Sequence, residues 1–184
     1  VKRFLSLTIA LLLTMLLTAC GSTRFGYDTS DTANLLISFA DSRWTGKNIP
    51  LSQICSKYNT IGTPTSPSFI VSHIPQNTDI LIIAFNNLSR SALASGGGHG
   101  AFRMDIPQGT TSYTVPSIPA ETTALPKGIT LVTISGGKIE GVENGAYLPP
   151  CSGGTGNTYQ TRILAINSGT HKVVGQGTII LGTY

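Results

Sequence analysis

Residues 147–167 read YLPPCSGGTGNTYQTRILAIN, and the stretch changes character twice. It opens as a rigid corner, because Pro149 and Pro150 fix φ and supply no backbone donor before Cys151. Across Ser152, Gly153, Gly154, Thr155 and Gly156 the glycines permit φ above zero and let a ligand approach the backbone. From Tyr159 a strict alternation takes over. Tyr159, Thr161, Ile163 and Ala165 share one face of a strand; Gln160, Arg162, Leu164 and Ile166 share the other. A stiff corner, a pliable loop and a buried strand can build the mouth of a pocket. They are equally the ordinary parts of an all-β domain. The stretch therefore predicts β structure and suggests a hollow, without naming an occupant.

The whole chain agrees with the β reading. Its 184 residues suffice for one domain with a core of its own once a leader is removed. Charged residues make up 11% and hydrophobic ones 40%, with 21 glycines and 10 prolines, which points to a turn-rich β fold and away from disorder. The formal charge of +4 overstates the basic character, since Lys2 and Arg3 belong to the leader. The remainder is nearly balanced and has no basic run, so nucleic acid is not an expected partner.

Residues 1–19 read as an export signal: Lys2 and Arg3, then an apolar run from Phe4 through Leu17, broken by Ser6, Thr8 and Thr14. The run is too short and poorly flanked for a stable membrane span. It closes on Leu17-Thr18-Ala19-Cys20, which resembles the lipobox of bacterial lipoproteins. The resemblance implies cleavage before Cys20, acylation there, and anchorage in the cell envelope. Gly21 rather than Asp follows, so the expected address is the outer membrane, facing the periplasm. Residues 20–33, rich in Gly, Ser, Thr and Asp, are expected as the acylated end and a flexible tether, and 34–184 as the domain.

Within the domain, strands are expected at 35–39, 68–73, 80–85, 101–106, 111–115, 129–134 and 173–181, besides the one starting at Tyr159. The unbroken apolar run of 80–85 reads as a strand buried on both faces. Trp44 reads as a core or rim anchor sooner than as a ring on which a ligand stacks. No segment holds a 3.6-residue period long enough to predict a helix.

In this order the segments resemble the phosphatidylethanolamine-binding protein family, in its bacterial Raf-kinase-inhibitor-like branch. Ile49-Pro50, Cys55 and Ser66-Pro67-Ser68-Phe69 resemble its entry segment. Arg103-Met104-Asp105-Ile106-Pro107 resembles the strand ending in Asn-Ile-Pro, and Pro149-Pro150-Cys151 with Tyr159 the Gly-Pro-Cys-Pro-Pro loop and its His-Arg-Tyr strand. The close of the chain, Leu181-Gly182-Thr183-Tyr184, is similar to the family's Val-Gly-Thr-Tyr ending. The resemblance implies an all-β fold: a Greek-key-type β-sandwich with few short helices and a small anion-binding pocket at one end.

The departures concern that pocket. Where the family has Asp-Pro-Asp-Ala-Pro, this chain has Asn86-Asn87-Leu88-Ser89-Arg90. The family's pocket histidine falls on Gly100, with His99 one place earlier, and the His and Arg of His-Arg-Tyr fall on Asn157 and Thr158. The family's helix before the last strand has no room between Asn167 and His171. A degenerate pocket of Asn86, His99, Gly100, Pro150, Asn157 and Tyr159 is implied, lined by uncharged donors. Such a site would hold an anion weakly, prefer a neutral polar head group, or take no ligand at all. His99 alone among the histidines suits a site, though a solvated loop histidine fits the same letters; His73 and His171 read as surface residues. Arg103 and Asp105 share a strand face and read as a structural pair.

Cys55 and Cys151 are the thiols left after Cys20, and an even pair in an envelope compartment suggests a disulfide; two separate buried thiols is the alternative. The resemblance brings both to the pocket end. No metal-ligand spacing, Gly-x-Ser-x-Gly elbow, His-Glu-x-x-His or phosphate loop occurs, so neither metal, cofactor nor enzymatic activity is expected. The leading expectation is a lipid-anchored binding protein for an anion or phospholipid head group. The alternative is an envelope adaptor or inhibitor of a hydrolase or kinase-like partner, acting through the 96–100 and 152–156 loops.

Overall fold

The computed structural model describes residues 24–29 and 31–184. The expected leader and Cys20 lie outside the described residues. The strands are β1 (Ala33–Asn34), β2 (Leu36–Phe39), β3 (Phe69–Ser72), β4 (Ile80–Asn87), β5 (Ala101–Asp105), β6 (Ser112–Val115), β7 (Ile129–Thr133), β8 (Thr158–Asn167) and β9 (Lys172–Thr183). The described residues hold no α-helix, only single 3-10 turns at Leu51–Gln53 and Ser91–Leu93. Each expected strand is present, and β4 runs two residues further than its apolar letters suggest.

Two sheets face each other. The larger has six strands in the order β1-β9-β8-β4-β5-β7; the smaller has three, β2-β3-β6. All eight residues of β4 are buried, because it is central and antiparallel to both β5 and β8. Its alternation sends Leu81, Ile83 and Phe85 inward, where they meet Phe69 and Val71 of β3, Phe102 of β5 and Ile163 of β8. Each such side chain removed from water stabilises by about 1.5–3 kcal/mol. Phe85 also packs on the rings of Phe69, Phe102 and Tyr147. Trp44 is buried against Phe39, as a core anchor should be.

The opposite face of β4 carries Ile80, Ile82 and Ala84, which join Ala101, Leu164, Ile166 and Val173 in a second apolar cluster. Phe25 and Tyr27 pack onto it. Part of the stretch expected as a tether thus lies on the sheet, because a strand apolar on both faces needs a cover on both. Asp28 bridges to Lys172, and Arg24 donates from Nη1 to the Ser95 carbonyl at 3.1 Å. β8 and β9 are joined by the tight turn that the spacing from Asn167 to His171 predicts. Arg103 and Asp105 form an exposed ion pair of 2.8 Å, the structural pair expected.

Candidate functional site

The site forms where β4 ends and β8 begins. Asn87, the last residue of β4, stands opposite Tyr159 in the register of the two strands. Beyond Asn87 the chain turns, and the Leu88 amide donates to the Thr158 carbonyl at 2.8 Å while the Thr158 amide donates to the Ser89 hydroxyl at 3.0 Å. These bonds tie the turn after β4 to the start of β8, and Arg90, at the end of that turn, borders the hollow.

The second wall is the 95–100 loop. Its glycines are structural: Gly97 and Gly100 have φ of 82° and 108°, and a Cβ on Gly98 would lie 2.2 Å from the Leu93 carbonyl oxygen. Asn86 holds the loop in place, its Oδ1 accepting from the amides of Gly97 and Gly98 at 3.0 and 3.4 Å. Pairing between Phe85 and residues 99–100 continues the β4–β5 ladder into the loop and carries His99 inside.

The third wall is the proline corner. Cys151 is disulfide-bonded to Cys55 with Cα atoms 5.2 Å apart, so the disulfide reading, not the separate-thiol one, is correct. The bond spans a sequence separation of 96, for which loop-closure entropy alone stabilises by about 4–5 kcal/mol. The Cys55 amide donates to the Pro150 carbonyl at 2.9 Å, and the Cys151 amide to the Tyr159 hydroxyl at 3.3 Å. Cys55 and Tyr159 therefore converge at one end of the sandwich. Asn157 exchanges backbone hydrogen bonds with Tyr184 at 2.8 and 3.0 Å, which closes the base of the 152–156 loop.

Between the walls lies a cavity of about 410 Å³. Its lining includes Asn87, Arg90, His99, Lys138, Ser152, Asn157 and Tyr159, with Leu93, Ile139, Leu148 and Pro149 as the apolar part. Of the residues implied by sequence, His99, Asn157 and Tyr159 are brought together there. Asn86 turns away to bind the glycine loop, Gly100 serves the backbone turn, and Pro150 contributes its carbonyl to Cys55; none of these lines the cavity. Asn87 takes the place expected of Asn86. Alternation could have shown this, since Asn87 shares the inward face with Phe85.

The expectation of uncharged walls is corrected. Arg90 and Lys138 both border the cavity, are exposed, and make no ion pair among the described residues. Nothing in the local sequence marked either one, because both come from loops without periodicity. His99 is not a solvated loop residue: it is 7% exposed. Its Nδ1 lies 2.8 Å from the Leu148 carbonyl, its ring meets Tyr159 edge-on with centroids 5.4 Å apart, and its Nε2 has no partner among the described residues. Burial pushes its pKa down, against a smaller upward pull from the Leu148 bond. His73 and His171 are exposed, as expected. Of the two loops expected to meet a protein partner, 97–100 is buried with Gly96 half-buried, whereas Gly153, Gly154, Thr155 and Gly156 are exposed. No group of His, Cys, Asp and Glu suited to a metal occurs among the described residues.

Neither a family model nor a curated protein matches the sequence. Among solved structures, Escherichia coli YbcL, described as a new member of the mammalian PEBP family, is similar with a TM-score of 0.51 at 19% identity, over 83% of this chain and 98% of that one. Chlamydia trachomatis CT736, described as a phosphatidylethanolamine-binding protein homologue, covers the same shares, 83% and 98%, at 13% identity; its TM-score of 0.48 is too low for shared architecture to rest on it. At 19% identity the likeness to YbcL speaks to architecture alone. The two sheets, their strand order and the likeness to YbcL give this chain the fold of the phosphatidylethanolamine-binding proteins.

Proposed function

We propose that this protein is a non-enzymatic, lipid-anchored binding protein of the bacterial envelope whose cavity takes an anion or an anionic head group. The observation that carries the proposal is the pair Arg90 and Lys138, two cations without ion-pair partners among the described residues, beside a cavity that also presents Asn87, Asn157 and Tyr159. Cations with free donors add the charge-assisted bonds that a neutral site lacks. The volume of about 410 Å³ accommodates a phosphorylated head group, and the apolar wall of Leu93, Ile139 and Leu148 suits its carbon part. YbcL's description as a PEBP-family member supports the same reading. Binding without turnover is favoured by the sequence, in which no serine has a recognisable histidine and acid partner.

Inorganic phosphate and phosphoethanolamine should each raise the melting temperature of the purified protein by mass action, by about 2.7 kcal/mol of added stability at a hundredfold excess over Kd. Arg90→Ala combined with Lys138→Ala should abolish most of the shift. An equal shift in the double variant would remove the cavity from the proposal.

A further inference from the structure

The polarity of His99 says which anions the cavity should prefer. Its Nδ1 is 2.8 Å from the carbonyl oxygen of Leu148. A carbonyl can only accept, so Nδ1 carries a hydrogen. The ring is buried, which disfavours the doubly protonated imidazolium. In the neutral ring a hydrogen on Nδ1 leaves Nε2 as a bare lone pair. That atom has almost no accessible surface and no hydrogen-bond partner among the described residues, so a ligand donor reaches it through a small shift of the cavity wall. A buried acceptor without a partner is a destabilised group awaiting a donor.

Tyr159 supplies the opposite polarity beside it. Its hydroxyl oxygen takes the Cys151 amide, and its own hydrogen remains available to a ligand oxygen. The two rings meet edge-on, so one acceptor and one donor stand side by side in the cavity wall, with Arg90 and Lys138 beyond. An oxyanion with every oxygen deprotonated satisfies Tyr159 and the cations, but sets a lone pair against the lone pair of His99 Nε2. An anion with a hydrogen of its own satisfies all of them.

We infer that the cavity selects anions carrying an O–H or N–H donor, such as singly protonated phosphate or an ammonium-bearing phosphate head group, over fully deprotonated oxyanions such as sulfate, and that His99 is the selecting residue. This rests on the reading of the cavity as an anion site. Phosphate and sulfate share size and tetrahedral shape and differ, near neutral pH, in the hydrogen that phosphate keeps.

The test is titration calorimetry of the full protein with inorganic phosphate, sulfate and glycerophosphoethanolamine at matched ionic strength and neutral pH. Phosphate should bind at least about tenfold more tightly than sulfate, and His99→Phe should bring the two toward parity, with phosphate affinity falling and sulfate affinity rising as the opposed lone pair is removed; a cooperative melt reports that the variant is folded. Glycerophosphoethanolamine has an ammonium N–H and no P–OH. If it exceeds phosphate, the donor is the head-group ammonium; if it falls between phosphate and sulfate, the donor is the phosphate hydroxyl. Nitrogen-15 spectra of the histidine rings need no variant: the ring tied to Leu148 should show an unprotonated Nε2 that shifts on adding phosphate. Equal native affinity for phosphate and sulfate, or a protonated Nε2 in the free protein, overturns the selection and leaves the anion site standing. Failure of all three anions to bind overturns both.

Discussion

His99 shows how little a residue's letters reveal of its surroundings. Flanked by glycines, it looks solvated; in the structure the Phe85 pairing and the Leu148 carbonyl enclose it. Its burial has a consequence for stability. Burial holds the imidazole pKa below its ordinary 6.5, so between that lowered value and 6.5 the unfolded chain binds a proton that the folded one refuses. Stability is therefore intact above 6.5 and declines as pH falls through the lowered value. Comparing melts at about pH 7.5 and 5, the native protein should lose more stability than His99→Phe does; equal losses would show the ring to be accessible. At this scale the sequence was a partial guide. It led to Tyr159, Asn157 and His99, but it put Asn86 where Asn87 stands, because inward–outward alternation along β4, not likeness to a family pattern, decides which asparagine faces the cavity. Arg90 and Lys138 reach the cavity only through tertiary folding of loops, and no spacing rule marks such residues.

The strands were legible because each carries a local signature. β8 alternates, β4 is unbroken apolar, and the β8–β9 turn had room for nothing longer. What the letters did not disclose was the cover over the second face of β4. Residues 24–29 are polar on average, and a polar stretch reads as a tether even when its Phe25 and Tyr27 are the parts that pack. Phe25→Ser should cost about 1–2 kcal/mol, given that the ring is half-buried. The readout is the urea midpoint, and an unmoved midpoint would mean that the ring contributes nothing to the second cluster.

At the scale of the molecule, the fold joins a sandwich to a covalent clasp. The Cys55–Cys151 bond ties the segment before β3 to the corner before β8, so the cavity wall does not depend on packing alone. Envelope residence is tested at Cys20. Replacing it by Ser should release the protein from the membrane fraction of expressing cells, and retention of the Cys20→Ser protein there would refute the lipid anchor. Arg24 then acquires a significance beyond its hydrogen bond to Ser95. Only four peptide units separate Cys20 from Arg24, a reach of at most about 14 Å. Ser95 precedes His99 by four residues, so a leash this short would pin the glycine-loop side of the molecule close to the bilayer. The cavity would then work within arm's length of the lipid surface, sampling head groups where they are densest rather than waiting for solutes to diffuse in.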